Sequence, residues 1–327
     1  MAVYTQLGAE TLAQIIAGFD VGTLVSAKGI AEGVSNSNWL IETRKGDGEP
    51  ARFILTMYEG RTETDDLPFF LGLLDHLAER GCPVPRTIHD VDNQAYRFHD
   101  GKALALIEFL PGVSVSEPTP AQAQAVGAAL AQTHLAAADF KGSRPNSMGR
   151  AAWRSLLDGC GREGLTSIDP NLCDLIENQT RDLEAQWPAD LPHSVIHADL
   201  FPDNVLMLDD RVTGLIDFYF ACTDITAYDV AVTHAAWCFD GDGRSFDPAI
   251  SAALLRGYQA VRPLSGKERA ALPILARGAS MRFLATRAYD WLNRPKDALV
   301  TPKDPLAFAR RLRFYADPGN ADTFTQG

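Results

Sequence analysis

The residues of this chain best suited to chemistry gather between positions 193 and 220, in HSVIHADLFPDNVLMLDDRVTGLIDFYF. His197, Asp199 and Asn204 form an H-x-D-x4-N pattern there, and Asp217 stands 13 positions after Asn204, at the end of an apolar run. Composition alone would produce the first pattern roughly 0.02 times, so chance explains it poorly. The segments VLML and VTGLIDF, joined by Asp209-Asp210-Arg211, read as a β-hairpin. A hairpin that begins after Asn204 and ends near Asp217 returns the chain to its starting point, which gathers Asn204, Asp217 and the Asp199 loop. Two carboxylates and an amide oxygen then converge. Such a donor set suits Mg²⁺, a hard cation held by one or two carboxylates while phosphate oxygens fill its octahedron. The carboxylate left over, Asp199, is then free to accept a proton from an attacking hydroxyl. The competing reading, a polar turn beside a hairpin, accounts for the residue types but not for their joint spacing.

These residues need a scaffold, and the rest of the chain predicts one of α+β class. Thr11 to Phe19 carries apolar residues three and four apart behind a Thr11 cap, the pattern of a short amphipathic helix. Gly22 to Ile30, Ser37 to Thr43 and Arg52 to Tyr58 are rich in β-branched and aromatic residues, and the turn-rich RKGDGEP separates the last two, so an antiparallel meander is expected. A helix over Asp65 to Arg80 stops at Gly81 and Pro83, and KALALIEFL supplies a further strand. The proline-rich segment PGVSVSEPTP marks a boundary between residues 1–110, a sheet with a helix, and residues 111–327, which are mainly helical. Helical patterns recur over Ala121 to Ala138, Ala152 to Leu157, Leu172 to Trp187, Val230 to Phe239, Ile250 to Val261 and Glu268 to Trp291.

The 327 residues carry a formal net charge of −12, which disfavours partners that need clustered cations, namely nucleic acid and anionic membrane surfaces. Small molecules are the expected partners. Five cysteines without a CxxC pair indicate neither a disulfide framework nor a zinc site, which fits a reducing cytoplasm. MAVYTQLGAE lacks the basic and apolar regions of a signal peptide, and no apolar run approaches the ~18 residues of a membrane span, so cytoplasmic location is expected.

The stretch 193–220 resembles the catalytic and metal loops of the kinase-like fold, in its aminoglycoside phosphotransferase and choline kinase branch. GIAEGVSNSNWLIET, FILTMYE, DLPFFLGLLDHLAERGCPVP, IEFLPG, YDVAVTHAAWCFD and GASMRFLATRAYDWL, taken in order, resemble the bacterial homoserine kinases of that fold over nearly the whole chain. The resemblance implies a two-lobed protein-kinase-like fold, with a small antiparallel-sheet N-lobe, a mainly helical C-lobe and nucleotide in the cleft. It implies ATP and Mg²⁺ as cofactors, and transfer of a phosphoryl group to the L-homoserine hydroxyl in threonine biosynthesis. In this reading Asp199 is the catalytic base, Asn204 and Asp217 hold the metal, and His197 braces the loop. Backbone at Glu108 to Leu110 meets the adenine, and Gly29 to Asn38 covers the phosphates, with Gly33, Ser35, Asn36 and Ser37 as donors. That loop matches neither GxGxxG nor a Walker-type pattern. Thr56 stands where related folds place a phosphate-pairing Lys or Arg, and Lys28, Arg52 or Arg61 are alternatives for the missing cation. The rival readings are a kinase for another small amino alcohol, such as choline or an aminoglycoside, and a non-catalytic nucleotide-binding regulator.

Five further positions stay open at this level. Asp229, preceding VAVTHAAW, suits either a helix N-cap or a contact to the acceptor. His134 is expected to pack or hydrogen-bond within its helix. Arg277, Arg282 and Arg287 step by about 140° around a helix and cannot share one face, so at least one pairs elsewhere while another, Arg282 for instance, binds an acceptor carboxylate.

Overall fold

The computed structural model describes residues 5, 7–30, 36–46, 48–59, 64–293 and 302–325. It divides into two compact units, Met1–Pro111 with Phe140–Gly142, and Gly112–Asp139 with Ser143–Gly327.

In the first unit, strands β1 (Thr23–Ile30), β2 (Asn36–Arg44) and β3 (Pro50–Tyr58) form the antiparallel meander, and β6 (Lys102–Glu108) pairs with β3. Two short strands, β4 (Thr87–Ile88) and β5 (Arg97–His99), also pair with β6. Alternation along β2 puts Trp39 and Ile41 on one face, where Leu55, Met57, Leu104 and Leu106 of β3 and β6 continue the row. Helix α1 (Ala9–Ile16) covers that row with Leu12, Ile15 and Ile16. It begins at Ala9, so the expected cap Thr11 lies inside the helix; Glu10 occupies the first turn, where the helix dipole favours an acid. Helix α2 (Leu67–Glu79) buries Phe70, Leu71, Leu74 and Leu77. Phe140 packs edge-on against Phe69 and against His76, which is why the short return 140–142 belongs to this unit.

The second unit is mainly helical: α3 (Pro120–Ala136), α4 (Arg150–Ile168), α5 (Leu172–Gln186), α6 (Thr226–Trp237), α7 (Pro248–Val261), α8 (Gly266–Leu292) and α9 (Leu306–Ala316). Helix α3 starts with a capping box between Thr119 and Gln122, and α8 with one between Ser265 and Glu268. Helices α3 and α7 cross at a pair of glycines. A Cβ on Gly127 would stand 2.1 Å from the Leu254 carbonyl oxygen, and one on Gly257 would stand 2.0 Å from that of Gln124, so neither position has room for a side chain. The hairpin of β9 (Val205–Leu208) and β10 (Arg211–Leu215) forms as the sequence predicts, and β7 (Val113–Ser114) adds to it from within the proline-rich segment. Strand β8 (His193–Ile196) pairs with β11 (Cys222–Ile225). Helix α6 starts at Thr226, so Asp229 lies inside its first turn and is not its N-cap. Among the described residues no helix is long and apolar enough to cross a membrane.

Candidate active site

The loop from His197 to Asn204 runs from β8 to β9, and its backbone groups are almost all spoken for. Asp229, fully buried in α6, accepts the amides of His197 and Ala198, each at 2.7 Å. The Ala198 carbonyl accepts from Arg282 of α8, and the Leu200 carbonyl accepts the Trp237 indole N–H at 3.0 Å. The Asp199 carbonyl accepts the Asn204 side-chain amide at 2.8 Å and the Phe201 amide at 2.8 Å. Ala198 has φ 64, a left-handed conformation unfavourable for a residue with a Cβ, and the bonds on its amide and carbonyl hold it there.

Behind Asp229 runs a chain of donors. Arg262 donates to the Tyr258 oxygen at 3.1 Å, Tyr258 stands 2.8 Å from His134 Nδ1, and His134 Nε2 stands 3.0 Å from the Asp229 carboxylate. Burial by itself would raise the Asp229 pKa, but the bond and charge of His134 and the loop amide of His197 hold it below the usual carboxylate value. With both oxygens taken, Asp229 supports the loop and offers nothing to an acceptor. That corrects the expectation of an acceptor contact.

His197 takes the position of a brace. Its Nδ1 accepts the Asp199 amide at 3.2 Å and its Nε2 donates to the Ile216 carbonyl at 2.9 Å, an arrangement that needs the neutral ring. Burial likewise lowers its pKa. The ring thereby ties the loop to the residue preceding Asp217, and the Ile216 amide donates to the Asn204 carbonyl at 3.0 Å to close the hairpin. Asp217 then adopts φ 64, a region that Asp tolerates better than most residues, before a short turn over Phe218–Phe220.

Asp199, Asn204 and Asp217 are thus brought together. The Asn204 side-chain N–H stands 3.3 Å from the Asp199 carboxylate, and its Oδ1 has no partner among the described residues. Asp199 keeps 17% of its side chain exposed, yet burial of the group pushes its pKa up to about 7; Arg282, at 3.8 Å, opposes this, while Asp217 and Asp203 add to it. Asp217 is solvent-accessible but closely surrounded by protein, which together with Asp203 pushes its carboxyl up to about 6 against a hydrogen bond from the Tyr219 amide. Two crowded carboxylates that resist ionisation and a free amide oxygen are a donor set that a divalent cation would relieve. The described residues contain no cluster of three or more His, Cys, Asp or Glu side chains able to enclose a metal by themselves. The set therefore fits Mg²⁺, which keeps several positions for phosphate and water, and not a closed structural ion.

The three arginines of α8 divide their tasks. Arg277 pairs α8 with α5 through Gln179 at 2.8 Å and Asp182 at 2.6 Å. Arg282 is 2% exposed and directs its two terminal nitrogens to Ala198 and Asp199, which makes it a support of the loop and corrects its expected contact to an acceptor. Arg287 lies over the Phe308 ring, 4.5 Å from its centroid. A cavity of about 540 Å³ lined by Lys267, Ile274, Arg277 and Tyr315 among others contains none of the loop residues.

In the first unit, Gly33, Ser35 and Arg61 lie outside the described residues. Asn36 and Ser37 are not loop donors: both are buried in β2, where cross-strand pairing continues through them to Tyr58 and Met57. The Ser37 hydroxyl donates to Glu59 at 2.6 Å, and Glu59 in turn pairs with Lys102, an arrangement the sequence did not announce because its members are far apart in the chain. Thr56 is 2% exposed and donates to Asn38 at 2.8 Å on the neighbouring strand. Lys28 is exposed on β1, and Arg52 pairs with Glu42 at 3.1 Å. Glu108 ends β6, its carboxylate accepting the Arg86 amide at 3.2 Å, and the Leu110 amide and carbonyl have no partner among the described residues.

Comparison with known proteins adds a sequence dimension. Residues 26–264 match the sequence model of the phosphotransferase enzyme family. The chain is 50% identical over 324 residues to a homoserine kinase of Xanthobacter autotrophicus, covering 99% of either chain. It is 51% identical over 315 residues to a homoserine kinase of Azorhizobium caulinodans, covering 96% of each. Among solved structures it is similar to the amicoumacin kinase hAmiN in complex with AMP-PNP, Ca²⁺ and Ami, with TM-score 0.71, 14% identity and coverage of 94% and 93%. It is also similar to spectinomycin phosphotransferase APH(9)-Ia in complex with ADP and spectinomycin, with TM-score 0.69, 14% identity and coverage of 98% of both. At such low identity the last two likenesses speak for the fold alone.

Proposed function

This chain belongs to the phosphotransferase enzyme family, with its protein-kinase-like fold, and we propose that it carries out the homoserine kinase reaction through Asp199, Asn204 and Asp217. It phosphorylates the hydroxyl of L-homoserine with ATP, giving O-phospho-L-homoserine for threonine biosynthesis. What carries the acceptor is the identity of about half the residues across essentially the whole chain with kinases of that name. The reaction belongs in the cytoplasm, where ATP is made available and the five free cysteines stay reduced.

In this mechanism Asp199 holds the acceptor hydroxyl and takes its proton as the oxygen attacks the γ-phosphorus and the bond from that phosphorus to the bridging oxygen breaks, releasing ADP. Arg282 favours the ionised carboxylate that the task requires, and Asp229, through the His197 and Ala198 amides, fixes where that carboxylate stands. Asn204 Oδ1 and the Asp217 carboxylate would hold Mg²⁺. When bound, the cation neutralises charge on the transferring phosphates. The free backbone groups of Leu110, two residues after Glu108, are suited to the edge of an adenine ring.

Thr56 has a modest part in this scheme. Thr56→Ala should lower kcat by less than about tenfold, since one neutral hydrogen bond, here to Asn38, is worth about 1 kcal/mol. Steady-state kinetics that instead gave a loss of about a thousandfold would mean that Thr56 acts on phosphate directly.

A coupled assay of ADP release with L-homoserine, L-serine, choline and an aminoglycoside tests the acceptor. L-Homoserine should exceed choline and the aminoglycoside in kcat/KM by at least about a hundredfold, because a site that pairs both charged ends of an amino acid is left with unpaired groups by acceptors lacking one; it should exceed L-serine, which keeps both ends but is one methylene too short to bring its hydroxyl to Asp199, by at least about tenfold. Efficient turnover of choline without turnover of homoserine would move the chain to another activity.

A further inference from the structure

Among the described cations around the Asp199 loop, most are committed. Arg282 serves Ala198 and Asp199. Arg311 donates to the carbonyls of Ala235, Ala307 and Asp240. Arg310 reaches the Asp242 carbonyl and the Asp304 carboxylate, and Lys303 pairs with Asp203 at 3.2 Å. Arg287 is different. Of its five N–H donors one is used, a 3.3 Å bond to the Asp304 carbonyl, and no carboxylate of the described residues lies within ion-pair distance.

The setting of this guanidinium ties it to the reacting end of the loop. It stacks on Phe308, whose ring packs 4.9 Å from Phe283 and 6.0 Å from Phe201, and Phe201 sits two residues after Asp199. The aromatic face holds the guanidinium plane and leaves its N–H edge free. None of the unpartnered nitrogens of Arg287 is sealed from solvent, in contrast to Arg282 Nε, which is buried without a partner. Burial and the neighbouring Arg311 lower the Arg287 pKa to about 10, while Asp304, Asp199 and Asp203 act in the opposite sense, so the site is a cation short of an anion and within electrostatic reach of Asp199.

We propose that Arg287 binds the α-carboxylate of the amino-acid acceptor through its free guanidinium edge, and so makes the site select amino acids over amino alcohols. This rests on the homoserine reading above and deepens it. The carboxylate end of homoserine is separated from its hydroxyl by a short aliphatic chain, so an anchor beside the Asp199 loop also sets the reach of the hydroxyl. Arg287 replaces Arg282 as the acceptor contact, and the difference is one of vacancy: Arg282 is occupied by the loop it supports.

The test compares L-homoserine with 3-aminopropan-1-ol, which keeps the hydroxyl and ammonium but lacks the carboxylate. Arg287→Ala should raise KM for homoserine on the order of a hundredfold, the scale of losing two charge-assisted hydrogen bonds, while KM for ATP stays within about twofold. Its kcat/KM toward 3-aminopropan-1-ol should not change, so the preference for the amino acid collapses. Arg287→Lys, which keeps the charge and the packing but loses the planar fork, should show the same pattern at about tenfold, and it serves if the alanine variant does not fold. An unchanged KM for homoserine, or an equal loss on both acceptors, overturns the assignment to Arg287. A wild-type chain that phosphorylates 3-aminopropan-1-ol but not homoserine overturns the functional reading itself, and this one with it.

Discussion

Asp199→Asn should lower kcat by roughly 10²–10⁴, the usual contribution of a positioned general base, and leave KM for ATP nearly unchanged. The substitution keeps the shape of the side chain and therefore the loop. Its backbone bonds run to Asp229, Arg282, His197 and Asn204, and none needs the Asp199 carboxylate. What changes is the carboxylate: an amide accepts no proton from the acceptor hydroxyl, and its N–H₂ group faces the donors Arg282 and Asn204 that the carboxylate now attracts. An Asp199→Asn enzyme that kept more than about a tenth of kcat, a loss of only ~1.4 kcal/mol, would show that another group activates the hydroxyl.

Asp217→Ala should cut kcat/KM by at least about 10³, because metal charge stabilisation is worth several kcal/mol, and should weaken the binding of Mg²⁺-ATP. Alanine also faces the φ of 64 at this position, so Asp217→Asn is the sharper variant: Asn tolerates that conformation and removes only the charge. Turnover should be lost in both. Stability should part them. The Asp217 pKa is raised from 3.8 to about 6 on folding, so between those values the folded chain binds more protons than the unfolded one, and stability falls as pH rises through that window. Without metal, Asp217→Asn should therefore melt at a higher temperature than the wild type at pH 7, with the advantage fading as pH falls from about 6 and gone below about 3.8. Normal turnover of either variant at low millimolar Mg²⁺ would withdraw Asp217 from the metal site.

What could be read from the sequence divides along a physical line. Strands β1 to β3 and helices α2, α5, α7 and α8 are legible because each carries a pattern of its own and its own stop or start signal, helix α3 because it is Ala-rich with strong helix propensity, and the spacing of Asn204 and Asp217 because a hairpin has few ways to close. Elements defined by their partners are not. Strands β7 and β11 are two and four residues long, and they exist because β9 and β8 lie beside them. Asp229 shows the same limit at the site: an Asp ahead of an apolar helical run reads as a cap, and nothing local says that its carboxylate reaches back 32 residues to grip the loop amides. The arginines of α8 differ only in who occupies them. Their spacing separates their faces but does not reveal that Arg282 is taken and Arg287 is left open.

The glycine crossing of α3 and α7 has a bearing on heredity. His134 stands on α3 and Tyr258 follows Gly257 on α7, so the spacing of these two helices decides whether the donor chain behind Asp229 connects. Every amino-acid substitution of a glycine adds a side chain. At Gly127 and Gly257 each such change would drive the same two backbones apart, and substitution of one cannot compensate for substitution of the other, since both would enlarge the same gap. The chain thus carries, well away from its chemistry, two positions at which no amino-acid change is neutral.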